Sequence, residues 1–176
     1  MISFDSSLGI EIRGDHLVLT VVRRGVMGFR AGTSHVIENF LQLDKSAAVA
    51  RLQQFRKQES FNKDNVVLGV PRSRVILRQV ELPLEAAENL SQVVRYQVEY
   101  LQPSDETVSY FDHLVLRQDE DRKKLLLLVA LVPKGWLDPY LERLSAGKIF
   151  PSRVEISTSA LFNLVSLRKE LLAGKN

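Results

Sequence analysis

Apolar and polar side chains alternate most clearly near the start of the chain. Leu8, Ile10 and Ile12 fall on one side of an extended backbone and Gly9, Glu11 and Arg13 on the other, the period of a strand with one buried face. Gly14 and Asp15 supply a two-residue turn, and residues 17–22 are again β-rich and apolar, so the two runs predict a hairpin. A third strand is expected between residues 26 and 40, its limits blurred by Gly25, Gly28 and Gly32. Asp44 is placed to cap a helix in which Val49, Leu52 and Phe55 recur at helical spacing while Arg51, Gln54 and Lys57 face water. Val66, Val67, Leu68, Gly69 and Val70 are apolar on both faces, which suits a central strand, and Pro71 ends it.

The pattern then changes. Residues 74–82 read as a strand, and Pro83 opens a helix with Glu85 and Glu88 near the positive end of its dipole. Ala87, Leu90, Val94 and Leu101 form the apolar stripe of that helix, and Pro103 closes it. Strands over 108–117 and 124–132 flank a charged tip made of Asp119, Glu120, Asp121, Arg122 and Lys123. After Pro133 come a helix with Trp136, Leu137, Tyr140, Leu141 and Leu144 on one side and Gly147 as its stop, a strand over 153–156, and a last helix from Thr158. In that last helix Leu161, Leu164, Val165 and Leu171 are expected to point inward, with Gly174 as the cap. No flexible linker separates these parts. Residues 73–132 are therefore expected as a strand, helix, strand, strand subdomain inserted into an α/β lobe made of residues 1–72 and 133–176.

Composition narrows the function classes. The chain is 45% hydrophobic and 26% charged, enough to build a buried core. It has no cysteine, which excludes a disulfide framework, a thiolate metal site and a cysteine nucleophile, and accords with a reducing cytoplasm. The first five residues carry no basic run ahead of an apolar stretch, so no signal peptide is expected. The longest apolar run, 125–132, has the length of a buried strand and falls far short of the roughly 20 residues of a membrane-crossing helix. The formal charge of +3 arises from 24 basic and 21 acidic side chains of interspersed sign, so nucleic acid is not expected as a partner.

Two stretches carry a family resemblance. One is NVVLGVPRSRVILRQVELP followed by LEAAENLSQVVRYQVEYLQP; the other is LLLLVALVPKGWLDPYLERLSAGKIFPSRVEISTSALFNL. Their order resembles PilM and the cytoplasmic domain of GspL-type secretion proteins, members of the actin-like superfamily with an FtsA-like insertion. The resemblance implies an α/β fold: one actin-like (RNase H-like) lobe with a mixed sheet and flanking helices, plus the inserted subdomain. It also implies a scaffold peripheral to the cytoplasmic side of a bacterial inner membrane, in type IV pilus or type II secretion assembly. The implied partners are a short cytoplasmic peptide of a bitopic inner-membrane protein and the secretion ATPase. A second copy of the chain joins them, because a lobe without its companion exposes apolar surface.

The first hairpin departs from the ATP-binding members of that superfamily. Their phosphate turn reads Gly, apolar, Asp, apolar, Gly, Ser or Thr; the matching residues here are Gly9, Ile10, Glu11, Ile12, Arg13 and Gly14. Glu11 keeps the charge on a longer arm, while Arg13 fills space where the backbone would have to approach a phosphate. No second phosphate hairpin or glycine-rich adenosine loop follows residue 132. A degenerate phosphate turn at Gly9, Glu11, Arg13 and Gly14, no cofactor and no catalytic residue are the resulting expectations. The alternative is the N-terminal portion of an actin-like ATPase whose second lobe completes the nucleotide site.

Other chemistry is sparse. His16, His35 and His113 form no metal-binding pattern, and the 119–121 acidic cluster abuts basic residues as a solvated tip would. Glu11 with Asp15 could be the relic of a metal site, but an exposed ion pair of Glu11 with Arg13 is the simpler reading. Arg72, Arg74 and Arg78 share strand parity at the junction of lobe and insertion, where they suit either a groove or a basic edge that discourages strand pairing. Arg95, Tyr96, Glu99 and Tyr100 give the inserted helix the mixed aromatic and charged character of an interface. A partner groove lined by Val70, Arg72, Arg74, Arg95, Tyr96, Glu99 and Tyr100 is therefore expected. An RNA-binding reading based on Tyr110 and Phe111 lacks the aromatic stretch that such modules use.

Overall fold

The computed structural model describes residues 6–26, 28–101 and 108–173, so Pro103 and Gly174, the expected helix terminators, lie outside it. Its elements are β1 (Ser6–Arg13), β2 (His16–Gly25), β3 (Gly28–Ala31), β4 (His35–Ile37), α1 (Lys45–Gln58), β5 (Val66–Val70), β6 (Ile76–Pro83), α2 (Leu90–Leu101), β7 (Ser109–Asp119), β8 (Lys124–Pro133), α3 (Lys134–Ala146), β9 (Arg153–Ile156) and α4 (Ser157–Ala173). They divide into two units, 1–72 with 139–176 and 73–138, the second boundary falling inside α3 just before Pro139.

In the first unit a mixed sheet runs β3-β2-β1-β5-β9, with β4 also on β2. The β1–β2 hairpin is antiparallel and turns at Gly14 and Asp15, Arg13 pairing with His16; Gly14 has φ +57, which a side chain would resist. β1, β5 and β9 are parallel. The expected third strand is two short strands, because the chain leaves β2 around Gly32, whose N–H still donates to the Val21 carbonyl at 2.8 Å. Leu8, Ile10, Ile12, Leu17, Leu19, Val21, Leu68 and Phe40 are buried, together with Leu52 and Phe55 of α1 and Leu144 of α3. Ala48, rather than Val49, completes the buried stripe of α1, and Asp44 stands at the cap position without a side-chain hydrogen bond. Ser152 locks the entry to β9, its Oγ donating to the Val66 carbonyl at 3.0 Å and its N–H at 2.8 Å.

In the second unit, the antiparallel sheet β6-β8-β7 carries α2 on one face. Leu125, Leu127, Val129 and Leu131 of β8 point to that face and pack with Leu82, Val94 and Val98. Residues Leu84–Asn89 wind as a 3₁₀ helix before α2 begins. Three residues per turn break the 3.6-residue period, so Ala86 packs on the core and the expected Ala87 is exposed.

The last helix corrects an expectation. Leu161, Leu164 and Val165 do not point inward: Leu161 is 63%, Phe162 72% and Leu164 64% exposed. α4 borders an open cleft of its own unit and turns Leu161 and Leu164 into it, so the helix has more apolar surface than these elements cover. The side chain of Leu171 lies outside the described residues.

The cleft over the parallel strands and the face of the inserted helix

The cleft of the first unit encloses about 420 Å³ above the C-terminal part of β1 and the parallel strands β5 and β9. Gly9, Glu11 and Arg13 border it because they lie opposite the buried Leu8, Ile10 and Ile12 on β1. Val18 and Thr20 come from β2, Val67 and Gly69 from β5, and Glu155 precedes the start of α4. A Cβ on Gly69 would stand 3.1 Å from Ser157 Oγ and 3.4 Å from the Ile10 carbonyl, so glycine is what lets Ser157 come close and donate to the Val70 carbonyl at 3.2 Å. The walls are otherwise apolar, with Val18, Val67, Ile156, Ala160, Leu161 and Leu164 among them.

The ionisable groups lining this cleft are Glu11, Arg13 and Glu155. Arg13 Nη2 donates to Glu11 Oε2 at 2.6 Å, so the guanidinium expected at a phosphate turn is held by the carboxylate two residues before it. Asp15 is used elsewhere: its carboxylate accepts from Gln42 Nε2 at 3.4 Å and its carbonyl from the Phe40 N–H at 2.8 Å. The two acids are thus spent separately. Among the described residues no group of three His, Cys, Asp or Glu converges as metal ligands would.

At the far edge of the sheet, Arg23 Nη2 donates to Glu59 Oε2 at 2.9 Å and to the Ser60 carbonyl at 3.3 Å. His35 Nε2 is buried 3.5 Å from the other Glu59 oxygen, too poorly placed for a hydrogen bond yet close enough for attraction when the ring is protonated. The Arg23 hydrogen bond, outweighing partial burial, holds the Glu59 carboxyl below its ordinary 4.5. The stability gained from a depressed carboxylate is complete above pH 4.5 and drains as pH falls through the folded-state value. Glu59→Gln should therefore be less stable than the parent at pH 7, the two converging as the pH falls below 4.5. Urea titrations across that range check it, and a constant difference at all pH values would contradict it.

The residues expected to form one groove fall in both units. In the first, Val70 ends β5 with its side chain buried, and Arg72 begins a short 3₁₀ turn. In the second, the Arg74 guanidinium lies 5.6 Å from the centre of the Trp136 ring, and Arg95, Tyr96 and Tyr100 project from α2 opposite the buried Val94 and Val98. Tyr96 is 58% and Tyr100 85% exposed. Ser91, Gln92, Arg95 and Tyr96 border a shallow cavity of about 430 Å³. The side chain of Glu99 is outside the described residues.

Tyr110 and Phe111 point to opposite faces of the inserted sheet. Phe111 packs on the α2 side, while Tyr110 donates its hydroxyl proton to Asp138 at 2.8 Å beneath the Lys134 ammonium, 5.0 Å from the ring centre. That carboxylate hydrogen bond raises the Tyr110 pKa. The charged tip after β7 folds on itself: Arg117 pairs with Asp119 at 2.6 Å, the Arg122 N–H donates to the same carboxylate at 3.0 Å, and Lys124 bonds Glu81. The Arg122 N–H, ahead of the Arg117 charge, keeps the Asp119 pKa below its usual range.

These features define an actin-like lobe with a mixed sheet and flanking helices, carrying a strand, helix, strand, strand insertion and an Arg13–Glu11 ion pair at the end of its first strand. Solved structures share this fold. The protein is similar to the PilM–PilN type IV pilus biogenesis complex, with 21% identity and a TM-score of 0.62 over 85% of this chain and 47% of that one. It is similar also to the cytoplasmic domain of EpsL, an inner-membrane component of the type II secretion system of Vibrio cholerae, with 20% identity and a TM-score of 0.58 over 85% of this chain and 56% of that one. The chain thus spans about half the length of the solved chains it matches. No protein-family model and no curated protein matches the sequence. Among the described residues, no helix is long and apolar enough to cross a membrane.

The sequence reading missed the cleft formed by Ser34, Glu155 and Ser157; the signal for it was Gly69 in an otherwise bulky apolar strand.

Proposed function

We propose that the protein is a non-catalytic scaffold of a type IV pilus or type II secretion assembly platform, working at the cytoplasmic side of the inner membrane. The observation that carries this reading is the fold shared, over 85% of the chain, with both the PilM–PilN complex and the EpsL cytoplasmic domain. The exposed side of α2 is the docking surface for a short peptide of a bitopic membrane partner. Tyr96 and Tyr100 provide apolar contact at little cost in side-chain entropy, and Arg74 and Arg95 provide a basic rim. The secretion ATPase and a second copy of the chain are further partners in the same reading, with the apolar side chains of α4 as the surface on offer.

Titration of the partner's labelled cytoplasmic peptide tests the location. Replacing Arg74 and Tyr100 together by alanine is expected to weaken binding by at least about tenfold. Unchanged affinity would remove α2 and its neighbourhood as the docking site. The ATPase reading is separated by calorimetric titration with magnesium and ATP: micromolar binding would favour it, whereas the engaged Arg13 and the apolar cleft walls lead us to expect none at that strength.

A further inference from the structure

The β2–β3 hairpin is built unlike the rest of the first unit. Arg24 pairs with Phe29 and Gly25 with Gly28 across it, and Gly28 takes φ +118, a conformation that glycine accepts readily. Directly paired residues share a face, so the Phe29 ring and the Arg24 guanidinium lie side by side, with Arg23 and Arg30 on the other face. Val26 at the tip is 88% and Phe29 71% exposed. Apolar side chains at such exposure gain nothing from the fold, and a hairpin end held only for connection would carry polar turn residues instead.

The charge around the tip has one sign. Residues 22–31 contain three arginines and no acid, and neither Arg24 nor Arg30 has an ion-pair partner among the described residues. Through its bond to Glu59 and Ser60, Arg23 ties the hairpin base to the end of α1, where Arg56, Lys57 and Lys63 border a shallow cavity of about 350 Å³. Glu59, the carboxylate of that cavity, is already neutralised by Arg23. An exposed aromatic and aliphatic tip inside a basic collar matches an anionic lipid interface: arginines meet headgroup phosphates while the apolar side chains enter the acyl boundary. A polyanion without apolar or aromatic groups of its own would use the arginines and leave Val26 and Phe29 in water.

We propose that the β2–β3 hairpin, through Val26, Phe29, Arg24 and Arg30, docks the protein on anionic membrane lipid. This draws on the hairpin alone and stands apart from the peptide site on α2. Because the chain has no cysteine, Val26→Cys gives a single site for an environment-sensitive dye, with Glu120→Cys on the β7–β8 tip as control. Phosphatidylcholine vesicles with about one-third phosphatidylglycerol should bind the protein and shift the Val26 label to the blue, while leaving the control label unchanged. Arg24→Gln with Arg30→Gln, and separately Phe29→Ser, should each lower vesicle binding by about tenfold or more, and 0.5 M salt, on the order of three times physiological strength, should lower it too. Binding to pure phosphatidylcholine at the same strength would overturn the proposal, as would absence of binding or indifference to both variants. Binding that falls only with the arginine variant, without a blue shift at position 26, reveals a polyanion contact and overturns it equally.

Discussion

Replacing Arg143 with alanine is expected to lower the stability of the first unit by about 3–5 kcal/mol. The reason lies in residues 40–43, a stretch between β4 and α1 without sheet partners. Its carbonyls need donors, and Arg143 of α3 supplies them: Nη1 reaches Phe40 O at 2.6 Å and Leu43 O at 2.8 Å, and Nη2 reaches Leu41 O at 2.9 Å. The same guanidinium lies 5.8 Å from the Phe40 ring centre, and that fully buried ring stacks on Tyr140 at 6.0 Å. A charged donor bond contributes about 1.5–3 kcal/mol, and three in one group do not add fully. Arg143→Lys should recover only a small part, because an ammonium cannot span three carbonyls with a planar fork's geometry. Urea unfolding followed by circular dichroism reads the difference; a loss below about 1 kcal/mol would mean that water replaces the guanidinium without penalty.

Arg143 also shows where sequence reading stops. The strands were legible because their chemistry is periodic: the odd–even contrast of Leu8–Arg13 survives in the burial of β1, and the apolar run at 125–132 sets the inward face of β8. The fold class followed from the order of such runs. A contact about a hundred residues away in sequence has no period to announce it, so the pattern along the chain did not single out Arg143. α4 failed for the opposite reason. Its apolar residues repeat as an inward stripe would, but amphipathicity gives a face and not the element that covers it, and Leu161, Phe162 and Leu164 remain exposed. At the cleft, the Glu11–Arg13 pairing was legible because side chains two apart on a strand share a face. Gly69 and Ser157, which shape the same cleft, meet only through parallel pairing of β5 and β9, which local pattern does not specify.

The end of α3 yields the second large effect. Gly147 was expected to stop the helix, and the residue there that takes the left-handed conformation is Lys148, with φ +62. The Lys148 N–H donates to Ser145 O at 2.8 Å and the Ile149 N–H to Leu144 O at 2.9 Å, the paired bonds of a Schellman motif, with Ile149 and Leu144 both buried beside them. Glycine is needed at 147 for a different reason: a Cβ there would lie 2.7 Å from both Cβ and Cδ1 of the fully buried Leu52 on α1. Gly147→Ala is therefore expected to cost about 1–3 kcal/mol, since the Leu52 Cβ can yield only by moving α1. Lys148→Gly acts in the other direction and should add about 0.5–1 kcal/mol by relieving the left-handed backbone. If the glycine were serving as the left-handed cap, Gly147→Ala would be cured by combining it with Leu52→Val no better than by any other core change. Direct contact predicts instead that Leu52→Val, which removes Cδ1 but keeps Cβ, recovers part of the loss from Gly147→Ala in a double-mutant cycle measured by urea unfolding.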